Sequence, residues 1–375
     1  MDCPSLVNLG YEVFSKRLQN KIGQQRVPLN GSFEVTLRCN LRCEHCYLPL
    51  AERAGSRQGE LSLPEIQRIL SEIADAGCLW LLLTGGEPLL RRDILDIYDF
   101  ARHKGFIVTL FTNGTLLNEQ IADHLAEWRP FAIEISLYGA TQETYERVTG
   151  VPSSYARCMR GIELLLERKL PVKLKSVLLT LNQHELVQMK QFSESLGMEF
   201  SFDPVVNARI DGSLYPTQFR LSPEQIIAIE TQDPARATEW PRVYERNKDV
   251  DISTRSMYIC GAGRRGFHID PYGQLSLCLS ARQPSYDLRQ GSFQEGWENF
   301  FGGVLAREPS PTFACSECEL RPVCFQCPAM GLTELGDPER RVPFLCELAQ
   351  LRQTAFILSP VQMNQKIVHP IDFDV

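Results

Sequence analysis

Between Phe33 and Pro204 apolar runs of strand length alternate with amphipathic helical stretches six times. That alternation constrains the fold more than any other feature, because it calls for a parallel sheet covered by helices. The expected strands are SFEVTL (32–37), LWLLLTG (79–85), FIVTLFT (106–112), FAIEISL (131–137), VKLKSVLL (172–179) and MEFSFD (198–203). Between them Ser62 and Glu65 form a capping box, Ile66, Ile69, Leu70 and Ile73 recur at helical spacing, and Gly77 ends the helix. Ile94, Ile97, Tyr98 and Ala101 repeat the pattern up to Gly105, and Tyr155, Cys158, Met159, Ile162 and Leu166 form a third stripe. The fold class is therefore α/β. Units of this type close into a partial or full barrel with its chemistry at the strands' C-terminal ends, or lie open as a doubly wound sheet. Periodicity alone leaves both open.

Composition narrows the setting. Of the 375 residues 43% are hydrophobic, enough for one large core and a smaller module. No apolar run approaches the ~20 residues a membrane helix needs, and the start MDCPSLVNLG has neither a basic flank nor an apolar signal core. A cytoplasmic protein is expected. Thiols stay reduced there, so 13 cysteines read as metal ligands or buried thiols before disulfides. A net charge of -7 without clustered Lys and Arg excludes a general nucleic-acid binder. After Pro204 the regularity fades, with one expected helix near residues 223–230, and beyond Cys260 the chain is rich in Cys, Gly and Pro. The expected organisation is an N-terminal extension (1–30), a barrel (31–220), a bridging region (221–250), a cysteine-rich module held by something other than a large apolar core (251–350) and a tail (351–375).

Cys39, Cys43 and Cys46 follow the first expected strand in the pattern C-x3-C-x2-C. Three thiolates can hold three irons of a [4Fe–4S] cube and leave the fourth iron open to a small molecule. The plain alternative is a zinc site or an electron-transfer cluster with a fourth ligand such as His45. The stretch LLLTGGEPLL puts Gly85, Gly86 and Glu87 on the same rim, where glycines admit close backbone approach and a carboxylate can pair with an ammonium group. A simple turn before the helix near Arg91 would also use these residues. Taken together, the two motifs resemble the radical S-adenosylmethionine (radical SAM) superfamily. The resemblance implies a partial (β/α)6 TIM-like barrel that reductively cleaves S-adenosylmethionine to a 5′-deoxyadenosyl radical, which abstracts hydrogen from substrate. It further implies that Gly85, Gly86 and Glu87 bind the cosubstrate's amino group, that Ser136 and Arg147 contact its ribose and carboxylate, and that Tyr47 and His45 flank its adenine. Asn113, between Thr112 and Gly114, joins this cofactor-binding rim, although it could equally cap a helix and Arg147 could be a surface charge.

Seven further cysteines follow in order: Cys260, Cys278 (five residues after Gly273), Cys315, Cys318, Cys324, Cys327 and Cys346. Two CxxC pairs in one short segment are a metal signal, with a zinc-ribbon interaction protein as the competing explanation. The series resembles the SPASM module of radical enzymes that modify peptides and proteins, except that two residues separate Cys324 from Cys327 where that pattern has three. This resemblance implies two auxiliary [4Fe–4S] clusters: an outer one on Cys315, Cys318, Cys324 and Cys346, and an inner one on Cys260, Cys278 and Cys327 with its fourth position open. Cys3, Cys78 and Cys158 remain, the last two as small core residues.

SPASM enzymes include sulfatase-maturing enzymes, which oxidise Cys or Ser to formylglycine, and maturases of ribosomal peptides that crosslink, excise or oxidise residues. The sulfatase type carries an aspartate after the G-x4-C cysteine; here that position is Leu279. The sequence assigns no catalytic residue, and Asp270, Asp203, Asp211 and Tyr272 are the candidates for a base. The expected function is a peptide or protein maturase fed by an external reductant such as flavodoxin or ferredoxin. A formylglycine-type enzyme and a small-molecule radical dehydrogenase are the enzyme alternatives. Only about thirty residues precede the first strand, too few for a domain with its own core, so recognition of a leader-bearing peptide is expected to use a separate leader-recognition protein or the barrel surface.

Overall fold

The computed structural model describes residues 11–23, 25–55, 57–248, 257–258 and 260–358. Cys3, residues 251–256 at the start of the expected module and residues 359–375 of the expected tail lie outside them. The six expected strands all form: β1 (Asn30–Glu34), β2 (Trp80–Thr84), β3 (Ile107–Thr112), β4 (Ala132–Ser136), β5 (Val172–Val177) and β6 (Glu199–Asp203). Each pairs in parallel with the next, in register from Asn30 opposite Trp80 to Val177 opposite Asp203. Strand β6 is one edge of the sheet and is not paired with β1, so the barrel is partial. All strand C-terminal ends therefore share one rim.

The helices form where the spacing requires them. Leu63–Asp75 buries Ile66, Ile69, Leu70 and Ile73 completely, each contributing roughly 1.5–3 kcal/mol of apolar burial. At its start the Glu65 carboxylate accepts from the Ser62 N–H and hydroxyl, both at 2.7 Å. Gly77 and Gly105 end their helices at φ +94° and +90°, left-handed positions that a Cβ disfavours. Cys78 and Cys158 sit in the main apolar core, as expected of small buried residues.

Beyond residue 204 the structure is more regular than its sequence. Helix Pro223–Gln232 is followed directly by Pro234–Asn247, whose first amides are capped by Asp233. Strands β7 (Gly266–Ile269), β8 (Gln274–Ser276) and β9 (Tyr286–Asp287) then extend the barrel sheet, with β7 lying parallel to β1 on its free side. Phe267, Ile269, Leu275, Leu288, Phe293, Trp297 and Phe301 consequently belong to the same core as Phe33 and Ile66. The expectation of a cysteine-rich region without a large apolar core thus fails for its first half, because strands of two to four residues are too short to show a period. Around the later cysteines Ala329 and Leu348 still reach the main core, beside two small apolar groups: Trp240 with Val323 and Ala349, and Met330 with Val342 and Leu345.

Candidate active site

The rim of the barrel opens into a cavity of about 780 Å³. Cys39, Cys43 and Cys46 line it, with His45, Tyr47, Gly85, Gly86, Asn113 and Ser136. The cysteine loop is pinned from two sides. Its amides at Arg42 and Glu44 donate to the carbonyls of Thr149 and Val148, at 2.9 and 3.0 Å, at the end of helix Gln142–Thr149. From the other side come the two glycines, packed against the loop's own backbone: a Cβ on Gly85 would lie 2.3 Å from the Thr36 carbonyl oxygen, and one on Gly86 2.3 Å from that of Leu37. The Gly86 and Glu87 amides donate to the carbonyls of Thr36 and Arg38, each at 2.8 Å. These glycines therefore admit a neighbouring chain segment; their exposed backbone still faces the cavity.

Glu87 has a different place from the one expected. It is fully buried, and its carboxylate accepts from the Thr112 hydroxyl (2.7 Å), the Asn113 amide (2.8 Å) and the Leu89 amide (3.0 Å). A carboxylate so engaged holds the turn after β3; it does not reach the cavity to meet an ammonium group. Burial pushes its pKa up to about 7 against the pull of these three hydrogen bonds. The turn also meets the cysteine loop, since Asn113 Nδ2 donates to Asn40 Oδ1 (2.9 Å) and Asn40 Nδ2 to Thr115 Oγ1 (2.8 Å). Arg147 is exposed, donates to the Leu181 carbonyl at 2.6 Å and is not on the cavity wall, so its direct contact with the cosubstrate is not supported by this geometry.

Several wall residues escaped the sequence reading. Glu134 and Lys175 pair at 2.5 Å, and Arg236, Arg352 and Asn207 stand with them on the polar part of the wall, beside Asp203 at the end of β6, which the sequence offers as a base. Their signal was there to find: Glu134, between buried Ile133 and Ile135, and Lys175, after buried Leu174, are charged residues inside otherwise buried parallel strands, which marks positions that face the cavity. Of the four candidate bases only Asp203 lines the cavity. Asp270 spends its Oδ1 on the amides of Tyr272 and Gln274, Asp211 caps Ser213 on an exposed loop, and Tyr272 donates to Glu52. Burial raises the pKa of Asp203, while the Val205 amide and the charges of Arg236, Arg352 and Lys175 restrain the rise.

The later cysteines fall into two groups. After burial, the strongest influences raising Cys315 are the thiols of Cys346 and Cys318, and Cys324 is raised by those of Cys346, Cys318 and Cys315. Cys327 instead feels Cys278 and Cys260, and Cys278 feels Cys260. Backbone amides point at three of the sulfurs: Leu41 at Cys39 (3.4 Å), Ala281 at Cys278 (3.3 Å) and Gln326 at Cys324 (3.4 Å).

With the geometry in view, residues 33–193 match the family model of the Radical SAM superfamily. The chain is 26% identical over 342 residues to the AdoMet-dependent heme synthase of Methanosarcina barkeri, covering 86% of this chain and 97% of that protein. It is 26% identical over 353 residues to the PqqA peptide cyclase of Bradyrhizobium diazoefficiens, covering 88% and 89%. Its fold is similar to that of Streptococcus suis SuiB bound to S-adenosylmethionine, with a TM-score of 0.65, 17% identity, and coverage of 92% of this chain and 83% of that one. Residues 33–193 thus match a radical SAM domain, and the protein is an enzyme.

The matched radical SAM domain implies S-adenosylmethionine and a [4Fe–4S] cluster, and the residues of the cavity wall fit both. Three thiols with no fourth cysteine line one cavity, the donor set that leaves an iron open. Burial pushes Cys39 up to about 12 and Cys43 well above its ordinary value, and the neighbouring Arg53, whose guanidinium reaches the Cys43 carbonyl at 3.3 Å, favours their thiolates. On the same wall His45 Nδ1 and Asn207 Oδ1 are buried without a protein partner, polar atoms suited to a polar ligand. Among the described residues, no helix is long and apolar enough to cross a membrane.

Proposed function

We propose that the protein is a cytoplasmic radical SAM maturase that modifies a peptide or protein. The observation that carries this reading is the shape of the cavity. It runs from the three-cysteine loop past Leu279, beside Cys278, to Phe325, Met330 and Leu345 in the cysteine-rich region, so one space joins the cosubstrate end to the second cysteine set. Its volume of about 780 Å³ leaves room for a side chain beside the cosubstrate. The name of the Bradyrhizobium relative, a peptide cyclase, supports a peptide as the second reactant.

In this reading Cys39, Cys43 and Cys46 hold the cluster that supplies reductive cleavage of the sulfonium. Gly85 and Gly86 offer backbone to the amino group, Asn113 and Ser136 line the cosubstrate's path, and Tyr47 with His45 bounds its base. Cys315, Cys318, Cys324 and Cys346 hold one auxiliary cluster, and Cys260, Cys278 and Cys327 another. Asp203 would take the proton, and an auxiliary cluster the electron, that the substrate radical gives up, the proton-accepting role Leu279 cannot fill. An external flavodoxin- or ferredoxin-type protein supplies electrons, and a separate protein holds the leader. Anaerobic reconstitution with iron, sulfide, reductant and S-adenosylmethionine tests the core of this: formation of 5′-deoxyadenosine is expected, with a mass change in a short peptide encoded beside the gene. A small-molecule product in place of a modified peptide would overturn the substrate class.

A further inference from the structure

Glu34 ends β1 inside the barrel, is fully buried, and is held ionised at a pKa of about 2: burial opposes the charge, but Arg282 and His268 outweigh it. A buried carboxylate of this kind costs several kcal/mol unless it is paired and hydrogen-bonded. Its partners come from three places in the chain. Tyr47, next to the ligand cysteine Cys46, donates its hydroxyl to Glu34 Oε1 at 2.6 Å. Arg282, four residues after Cys278, donates to the same oxygen at 2.8 Å, and its guanidinium lies 5.8 Å from the Tyr47 ring centre. His268 on β7 stands 3.4 Å from Oε2, its other ring nitrogen 2.6 Å from the Ser32 hydroxyl. Arg282 is also tied to its own loop, donating from Nε to the Leu279 carbonyl at 3.0 Å, and the next amide back, Ala281, points at the Cys278 sulfur.

We propose that Arg282 and Glu34 form a buried clamp that ties the cosubstrate end of the barrel to the loop of the inner cysteine set, Arg282 acting as a positioning residue for Tyr47. This rests on the reading of Tyr47 as a wall of the cosubstrate site. The carboxylate can remain charged inside the barrel only while the arginine of the second cysteine region is docked against it. A correctly seated Tyr47, and with it tight binding of S-adenosylmethionine, therefore requires the cysteine-rich region to be folded onto the barrel. The logic of a buried pair sets the test: removing one partner strands a charge, whereas removing both charges together does not.

The probe is S-adenosylmethionine itself, titrated into the anaerobically reconstituted full chain and followed by calorimetry and by the change it causes in the electron paramagnetic resonance of the reduced cluster. Arg282→Met is expected to weaken binding about tenfold or more and to blunt the spectral change. Glu34→Gln/Arg282→Met should bind within about threefold of the wild type, because the side-chain amide that replaces the carboxylate can still accept from Tyr47. In iron-free protein the melting temperature should follow the same order, lowest for the single variant. Tyr47→Phe, which keeps the ring, reports the hydrogen bond alone should Arg282→Met fail to fold, and it is expected to weaken binding less than tenfold. Normal binding by Arg282→Met, or a double variant no better than the single one, overturns the clamp alone. A wild-type protein that does not bind the cosubstrate overturns the reading beneath it, and the clamp with it.

Discussion

The two cysteine regions are held in place by opposite means. The loop of Cys39, Cys43 and Cys46 is gripped by backbone: Gly85 and Gly86 lie against its carbonyls, the Asn113 turn is fixed by Glu87, and helix Gln142–Thr149 accepts its amides. The loop would keep its shape without metal. Around Cys315, Cys318, Cys324 and Cys346, by contrast, the main core reaches in through Ala329 and Leu348, and the rest of the apolar support is two groups of three buried residues, Trp240, Val323 and Ala349 and Met330, Val342 and Leu345. A region that small depends on what its thiols bind. In the proposed reading the first site is shaped before its cluster binds, and the second takes its shape from the cluster.

The most drastic challenge to this contrast is at the metal. Cys43→Ala should reduce 5′-deoxyadenosine formation below detection while leaving the far-ultraviolet circular dichroism unchanged, whereas chelation of iron should open residues 313–346 to protease and spare the barrel strands. A barrel cleaved as fast as that segment would erase the distinction. Next in size, Asp203→Asn is expected to lower product formation about 10²-fold or more at nearly normal 5′-deoxyadenosine formation, which separates the late proton transfer from the early hydrogen abstraction. Quantifying both products in one assay checks it. Gly86→Ala, whose Cβ meets backbone on the cysteine loop, should cost about 3 kcal/mol in urea unfolding. Gly303→Ala, with no atom within 4 Å of the new Cβ, should stabilise helix Phe301–Ala306 by about 0.5–1 kcal/mol.

Two buried carboxylates extend the same contrast to pH. Glu34, lowered from 4.5 to about 2, contributes about 3 kcal/mol that is present above pH 4.5 and lost as pH falls through about 2. Glu87, raised from 4.5 to about 7, has the opposite sign: its contribution is present below pH 4.5 and is lost as pH rises through about 7. Because Gln stands in for the protonated carboxyl, the urea midpoints of Glu34→Gln and Glu87→Gln should both lie near the wild type at about pH 2 and depart from it in opposite directions by about pH 8, Glu34→Gln falling below it and Glu87→Gln rising above it.

What could be read in the sequence follows from the length of each signal. Six strands and their helices were legible because Ile66, Ile69, Leu70 and Ile73, and their counterparts, repeat over enough residues to fix a period. The short strands Gln274–Ser276 and Tyr286–Asp287 carry no period, so the extension of the sheet past β1 was hidden. The cysteines and Gly85–Gly86 stood out through spacing, but the spacing could not tell that Glu87 faces the Thr112–Asn113 turn or that Arg147 faces solvent, since each depends on which way one side chain turns. Glu34 and Arg282 lie 248 residues apart, and nothing local to either announces the other.

The pairing of β1 with β7 also sets an order of events in the cell. β1 leaves the ribosome early, yet the strand that covers its free side, Gly266–Ile269, is made more than two hundred residues later. During that interval the nascent chain carries an unpaired strand edge, the kind of surface that invites mispairing with another polypeptide. Contacts of such long sequence separation form slowly. Newly made protein is thus most exposed to aggregation before its last third is translated, and overproduction should favour slow translation, low temperature and chaperone supply over a longer induction.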